Sequence, residues 1–250
     1  MKKNNFITLY RLYLSYLFSK TTIIVFTMSF ILVTAFLLLF SNFNIEHIEY
    51  VSSYNDIHTL YFQNSLFIVQ LFNSIIASAI VIQLFIFSES FDFLFISYNK
   101  RIELSLVKLL VSFTVVLFMN ILEIIILFVI PLFRYDYFNV KFEDFKILIY
   151  IFFQMITEVT LSALISEILK NIFVPMVIAF SCICLRLLSH NMDSIYICTS
   201  KFIPIIEIKD NIIYCESFIL TPLWVILFAL LYISLYNIKD LKNIWLKMLK

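Results

Sequence analysis

The sequence predicts an all-α membrane protein with six transmembrane helices, preceded by an N-terminal interfacial helix. Two observations carry this. Apolar residues make up 62% of the 250-residue chain and charged residues only 14%, where a soluble domain holds about a quarter of its residues as charged ones. The apolar residues also fall into six long runs, at about 21–40, 61–88, 105–133, 147–169, 172–190 and 217–238. A hydrocarbon core of about 30 Å takes roughly 20 helical residues to cross. Backbone polar groups cannot stay unpaired in lipid, so a helix is the simplest form for each run. A β-barrel would instead show alternating segments of about ten residues. The whole chain, 1–250, reads as one transmembrane domain with no separate soluble domain.

Residues 1–20 precede the first run. Phe6, Tyr10, Tyr13 and Leu17 recur at helical spacing, and Lys2, Lys3, Arg11 and Lys20 suit the headgroup region. This is the pattern of a basic, aromatic helix lying in the membrane plane, or of a positive flank to the first span. It is too long and mixed for the charged region of a cleaved signal. Residues 41–60 read as an acidic loop. His47 and His58 stand near Glu46, Glu49 and Asp56, at spacings that match no metal site.

The second run carries a polar stripe of Gln63, Gln70, Ser74 and Ser78, flanked by Asn64 and Asn73. The fourth carries Gln154, Glu158, Ser162 and Ser166 at i, i+4 spacing, and the third holds Glu123 one turn from Asn120. Polar groups in a membrane avoid lipid and face a bundle interior, a partner chain or a wet cavity. The stripes therefore serve either hydrogen bonding between helices or a translocation path. Lys170 and Asn171 alone separate the fourth and fifth runs, and Pro175 suits the first turn of a new helix. Residues 191–216 are less apolar. Within them, Phe202–Ile208 reads as a partly inserted helix or a buried outer segment. Cys182 and Cys184 do not share a helix face and read as packing residues. Cys198 and Cys215 lie on the opposite side from the termini, where an oxidising compartment would allow a disulfide.

The charges assign the sides. Lys2, Lys3, Arg11, Lys20, Lys100, Arg101, Lys108, Lys170, Lys239, Lys242, Lys247 and Lys250 fall on one side of the alternating layout. Arg134, Lys141, Lys146, Arg186, Lys201 and Lys209 fall on the other. Twelve against six places both termini in the cytoplasm of a multi-pass cell-membrane protein.

Glycine is absent from the chain. Neither a Walker A loop nor a dinucleotide fingerprint can then be present, and GxxxG helix pairing is excluded. No HExxH string occurs, so neither a metalloprotease nor any other catalytic centre is expected. Nothing in the charge balance points to nucleic acid.

The link between the second and third runs is the most ordered non-apolar segment. It begins acidic (Glu89, Asp92), continues apolar (Phe91, Phe93, Leu94, Phe95, Ile96) and ends basic (Lys100, Arg101) before Lys108, Leu109 and Leu110. A short amphipathic helix of this order would offer a knob to a cytoplasmic partner. Here the chain resembles ABC-2-type permeases, the membrane subunits of many bacterial ABC exporters. Their link has an acidic start, a leucine-rich middle, a turn ending in Ser/Thr-Arg, and Gly-Lys-Leu opening the third helix. Glu89, Leu94, Ser97, Arg101, Lys108, Leu109 and Leu110 occupy matching places. Tyr98–Asn99 stands where the family has its turn proline, and Val107 where it has glycine.

The resemblance implies a half-transporter that holds no cofactor itself. ATP and Mg2+ would be bound by a separate cytoplasmic ABC ATPase, and a second permease copy or a paralogue would complete the channel. Residues 89–101 would act as the coupling helix, with Glu89, Phe91, Asp92, Phe93, Phe95 and Arg101 meeting the ATPase. Gln63, Gln70, Ser74, Glu123, Gln154, Glu158 and Ser162 would line the path or the subunit interface. The cargo would be an amphipathic or hydrophobic peptide, such as a toxin or antimicrobial peptide. Export of drugs or lipids, and a non-transporting immunity or scaffold role, are the alternatives.

Overall fold

The computed structural model describes residues 4–47, 54–88, 101–134, 145–169, 171–189, 206–209, 212–215 and 220–248. In chain order the helices are α1 (Asn4–Leu17), α2 (Lys20–His47), α3 (Tyr54–Val81, continued by a π-helical turn Ile82–Phe87), α4 (Arg101–Arg134), α5 (Lys146–Leu169), α6 (Phe173–Ser189) and α7 (Thr221–Met248). Between α6 and α7 lies a two-stranded antiparallel ladder of β1 (Ile206–Lys209) and β2 (Ile212–Cys215), in which Glu207 pairs with Tyr214.

Among the described residues, four helical stretches are long and apolar enough to cross a membrane: Lys20–Leu39, Ile68–Phe87, Arg101–Phe133 and Ile149–Leu169. They mark the chain as a helical membrane protein. The apolar parts of α6 and α7 within the described residues, Phe173–Cys184 and Thr221–Tyr236, are shorter. The outer surfaces of α2, α4, α6 and α7 are covered with exposed Ile, Leu, Phe and Val side chains, as lipid contact requires.

The four long helices alternate in direction, and two buried clusters at opposite ends show it. One cluster gathers Val33 and Leu37 of α2, Tyr61 and Leu66 of α3, Leu127 and Phe128 of α4, and Ile147 and Ile151 of α5. The other gathers Tyr13 and Leu17 of α1, Ile80 and Leu84 of α3, Leu104 and Val111 of α4, Val159 and Ala163 of α5, and Phe228 and Tyr232 of α7. Late residues of α3 thus meet early residues of α4. Helix α5 is central, packing against α3, α4, α6 and α7. Water gives no drive for helix association inside lipid, so close packing must hold the bundle, and small residues permit it. In the absence of glycine, buried Ala77, Ala163, Ser74, Ser78 and Ser162 fill that role.

Local chemistry sets the helix ends. Ser19 caps α2: its Oγ accepts from the Thr22 N–H at 3.5 Å and shares a 2.9 Å hydrogen bond with Thr22 Oγ1. The Asn171 side chain caps α6 by accepting from the Phe173 N–H at 2.9 Å, and Pro175 sits in the first turn that follows. Inside α4, Pro131 has no N–H to give the carbonyl four residues back. That carbonyl belongs to Leu127, and the Tyr61 hydroxyl of α3 donates to it at 2.8 Å. A cross-helix hydrogen bond replaces the one the proline removes.

Several expectations change. The acidic stretch 41–60 is mostly helix, because α2 runs to His47 and α3 starts at Tyr54. Part of Phe202–Ile208 is strand rather than helix: Ile206–Ile208 lies in β1, and its Ile-Glu-Ile-Lys alternation suits a period of two. Helix α1 buries Leu9, Tyr13 and Leu17, while Phe6 is exposed. Its apolar face is set by packing against α4 and the π-helical turn. Cys182 and Cys184 are free thiols, and Cys198 lies outside the described residues.

Candidate functional site

Polar side chains are buried in the bundle interior on three helices. From α3, Gln70, Asn73, Ser74 and Ser78 are buried. From α4 come Ser105, Lys108, Ser112, Asn120 and Glu123, and from α5 Gln154, Thr157, Glu158, Thr160, Ser162 and Ser166. Helices α3 and α5 pack directly on one another, so both stripes lie inside a single chain. Gln63 belongs to α3, but its side chain is outside the described residues.

The hydroxyls and the longer side chains in this interior behave differently. Most hydroxyls bond back to their own helix. Ser78 donates to the Ile75 carbonyl at 2.8 Å, Ser112 to Leu109 at 2.8 Å, Thr157 to Phe153 at 2.7 Å and Thr160 to Ile156 at 2.9 Å. Such back-bonding satisfies a polar group without a neighbouring helix. Gln70, Gln154 and Glu158 each have an interaction partner.

Asn73 and Glu123 form a distinct pair where α3 meets α4. Both are 1% exposed, and Asn73 is the side chain that acts on the Glu123 carboxyl. Neither carboxylate oxygen of Glu123 makes a hydrogen bond of normal geometry, nor does either amide atom of Asn73. Asn120 is buried one turn back on α4.

At the other end of the bundle Lys108 is fully buried. Its ammonium lies 5.7 Å from the Tyr13 ring centre on α1 and 5.3 Å from the Tyr236 ring centre on α7. Both are within the range of cation–π attraction. Around this cage Tyr10 donates from its hydroxyl to Thr114 Oγ1 at 3.0 Å. Gln83 of the π-helical turn donates to the Tyr16 carbonyl at 3.3 Å, and Phe85 meets Tyr232 edge-on at 5.1 Å. Lys108 is therefore not a headgroup charge, as the charge count along the sequence treats it. It is a structural cation holding the first and last helices to the start of α4.

Of the coupling residues, Glu89, Phe91, Asp92, Phe93 and Phe95 lie outside the described residues. Arg101 opens α4 and is half-buried. The two flanks of the link are firmly built. Ser88 is buried and donates to the Leu84 carbonyl, and seven residues after Arg101 comes the Lys108 cage. Among the described residues no group of three or more His, Cys, Asp or Glu side chains is placed to hold a metal.

Set against known proteins, the chain matches no protein-family model and no curated relative.

The sequence singled out the stripes and Glu123 but missed the Lys108 cage and the pairing of Asn73 with Glu123. A lone lysine within an apolar run was the available signal for the first. The second required knowing which faces of α3 and α4 meet.

Proposed function

We propose that this chain is the membrane subunit of an ATP-driven exporter of the ABC-2 type. In this reading α6 and α7 also cross the bilayer, making six spans with both termini in the cytoplasm. A separate ATPase chain binds ATP and Mg2+, and a second permease copy or a paralogue completes the assembly. The link 89–101 is the coupling segment.

The observation that carries the reading is how the link is anchored. It leaves α3 after a π-helical turn that is followed by the buried Ser88, and it enters α4 ahead of a lysine gripped by α1 and α7. A π-helical turn of this kind is rare and often functional. Force applied to the link by a nucleotide-driven partner would pass into four helices at once rather than dissipate in a loose hairpin. A two-state bundle is the kind of element that nucleotide can bias.

This reading puts the ATPase on a separate chain, so it is tested by capture. The tagged chain, extracted from its native membrane after mild cross-linking, is expected to bring down a cytoplasmic ABC ATPase. In proteoliposomes the pair should hydrolyse ATP faster when an amphipathic peptide is added. Stimulation by a drug or lipid alone would change the cargo and leave the mechanism. Recovery of the chain with a toxin or another non-ATPase partner, and no ATPase, would refute export in favour of an immunity or scaffold role.

A further inference from the structure

We propose that the end of α3 is a two-register switch. The π-helical turn Ile82–Phe87 is the latched register, and tightening of that turn to α-helix rotates the exit of α3 by one residue position. The switch is a property of this chain and stands independently of the exporter reading.

A π-helical turn closes its hydrogen bonds one residue later than an α-helix, so it stores one extra residue. Tightening would release that residue into the helix, which is about 100° of rotation and about 1.5 Å of rise. At the end of the turn each residue would come to the place now held by its successor. Phe87 decides what this costs. It is 48% exposed, whereas its successor Ser88 is fully buried. The observed register therefore seats a serine in the bundle and leaves the phenylalanine outside. A phenyl ring does not fit a serine's place in a close-packed interior, so the α register opens only when a neighbour of the turn gives way.

The neighbours are α1, α4 and α5, together with Tyr232 of α7, which Phe85 meets edge-on. Leu84 and Phe85 are buried among them. Helix α1 is the neighbour that can withdraw without moving a span. It has 14 residues, too few to cross a bilayer, and Phe18 and Ser19 separate it from α2. It is also tied to the turn by a side chain. Gln83 donates from Nε2 to the Tyr16 carbonyl at 3.3 Å. Tyr16 lies in the last turn of α1, where carbonyls have no partner inside the helix; its carbonyl also takes the Ser19 N–H at 3.2 Å. The Gln83 amide thus caps α1 and pins the π-helical turn with one bond. Release of α1 and tightening of the turn are one event.

The test reads position 87 in the full chain, held in nanodiscs. Phe87→Cys places there a side chain that fits the serine's seat, so the Gln83 bond becomes the main hold on the register. Alkylation by N-ethylmaleimide is timed at that position by peptide mass spectrometry. In the latched register the thiol is outside and reacts; in the α register it is enclosed and protected. Gln83→Met keeps the length of the side chain and cannot donate. Loss of a hydrogen bond of ordinary net strength should move the balance toward the α register enough to slow alkylation at least about twofold. Deleting Ile86 removes the stored residue, so the turn becomes α-helix while Ser88 keeps its seat. In that variant position 87 should react as it does with Gln83 in place, and Gln83→Met should change nothing. Unchanged or faster alkylation in Gln83→Met overturns the switch, as does an equal slowing with Ile86 deleted. Should the deletion variant fail to fold, the Gln83→Met comparison decides by itself, because mere loosening of the turn would speed the reaction rather than slow it.

Discussion

The Lys108 cage makes a quantitative prediction about Tyr236. Replacing a buried charge and its partners together with apolar groups can be neutral, whereas removing only the partner leaves the charge uncompensated. Tyr236→Leu is closer to the second case, because it removes one of the groups that face the charge and leaves the charge buried. It removes the nearer ring, at 5.3 Å, and leaves the Tyr13 ring at 5.7 Å in place. A desolvated cation–π contact contributes about 2 kcal/mol and an exposed one about 0.5–1. Lys108 is fully buried, but both rings sit toward the far limit of the contact range, so about 1–2 kcal/mol is expected from Tyr236. Loss of packing adds roughly another 1 kcal/mol. In a Lys108→Met background only the packing loss should remain, so the double-mutant cycle should return a coupling of about 1–2 kcal/mol. For a chain of this size that corresponds to about 2–8 °C in the unfolding midpoint. Tryptophan fluorescence is a direct reporter, because Trp224 and Trp245 both belong to α7, the helix that carries Tyr236. Equal losses from Tyr236→Leu in both backgrounds would show that the ammonium gains nothing from the ring.

Three further outcomes bear on the transporter reading. Cysteines introduced at 45–58 and 195–212 should be labelled by an impermeant reagent on intact cells, whereas those at 2–5 and 245–250 should not; the reverse pattern inverts the topology and removes the coupling assignment. Phe93→Ala with Phe95→Ala should reduce ATPase capture while leaving membrane insertion intact. Truncating a buried anchor costs about 2–4 kcal/mol, so a loss of affinity of roughly thirtyfold to a thousandfold is expected, and capture at the wild-type level rules out the docking role. Glu158→Gln should leave the unfolding midpoint within about 2 °C, since it preserves shape and most hydrogen bonding at a site that is already enclosed. A change in peptide-stimulated ATP hydrolysis in that variant would assign Glu158 to the path, and unchanged hydrolysis would assign it to packing.

The helices were legible because lipid makes apolar run length a direct measure of span length. The runs at 105–133, 147–169 and 172–190 correspond closely to α4, α5 and α6. The ends of α2 and α3 were less legible. Polar residues around His47 and Asp56 read as loop, yet a helix can continue past the apolar limit where its backbone bonds remain internal. Burial of the stripes followed from their spacing, since Gln154, Glu158, Ser162 and Ser166 fall on one face whatever lies opposite. What spacing could not supply was the identity of the opposite face. Asn73 read as a flank of its stripe, and it is the residue that meets Glu123. Lys108 read as a surface charge because positive-side counting treats every lysine near a span end alike. Only the convergence of α1 and α7 on α4 shows that two tyrosines, far apart in the chain, enclose it.

The Tyr61 bond to the Leu127 carbonyl has a historical consequence. It is needed only while position 131 is proline, because any other residue there would return an N–H to that carbonyl along α4. The two positions are therefore contingent on each other in order as well as in identity. Losing the proline first makes the hydroxyl dispensable, and Tyr61→Phe can then drift in unnoticed. Losing the hydroxyl first strands a buried carbonyl, at a penalty of about 1–3 kcal/mol. Of the two routes between the tyrosine–proline pair and an unbroken helix without it, only the one that starts at position 131 runs downhill throughout.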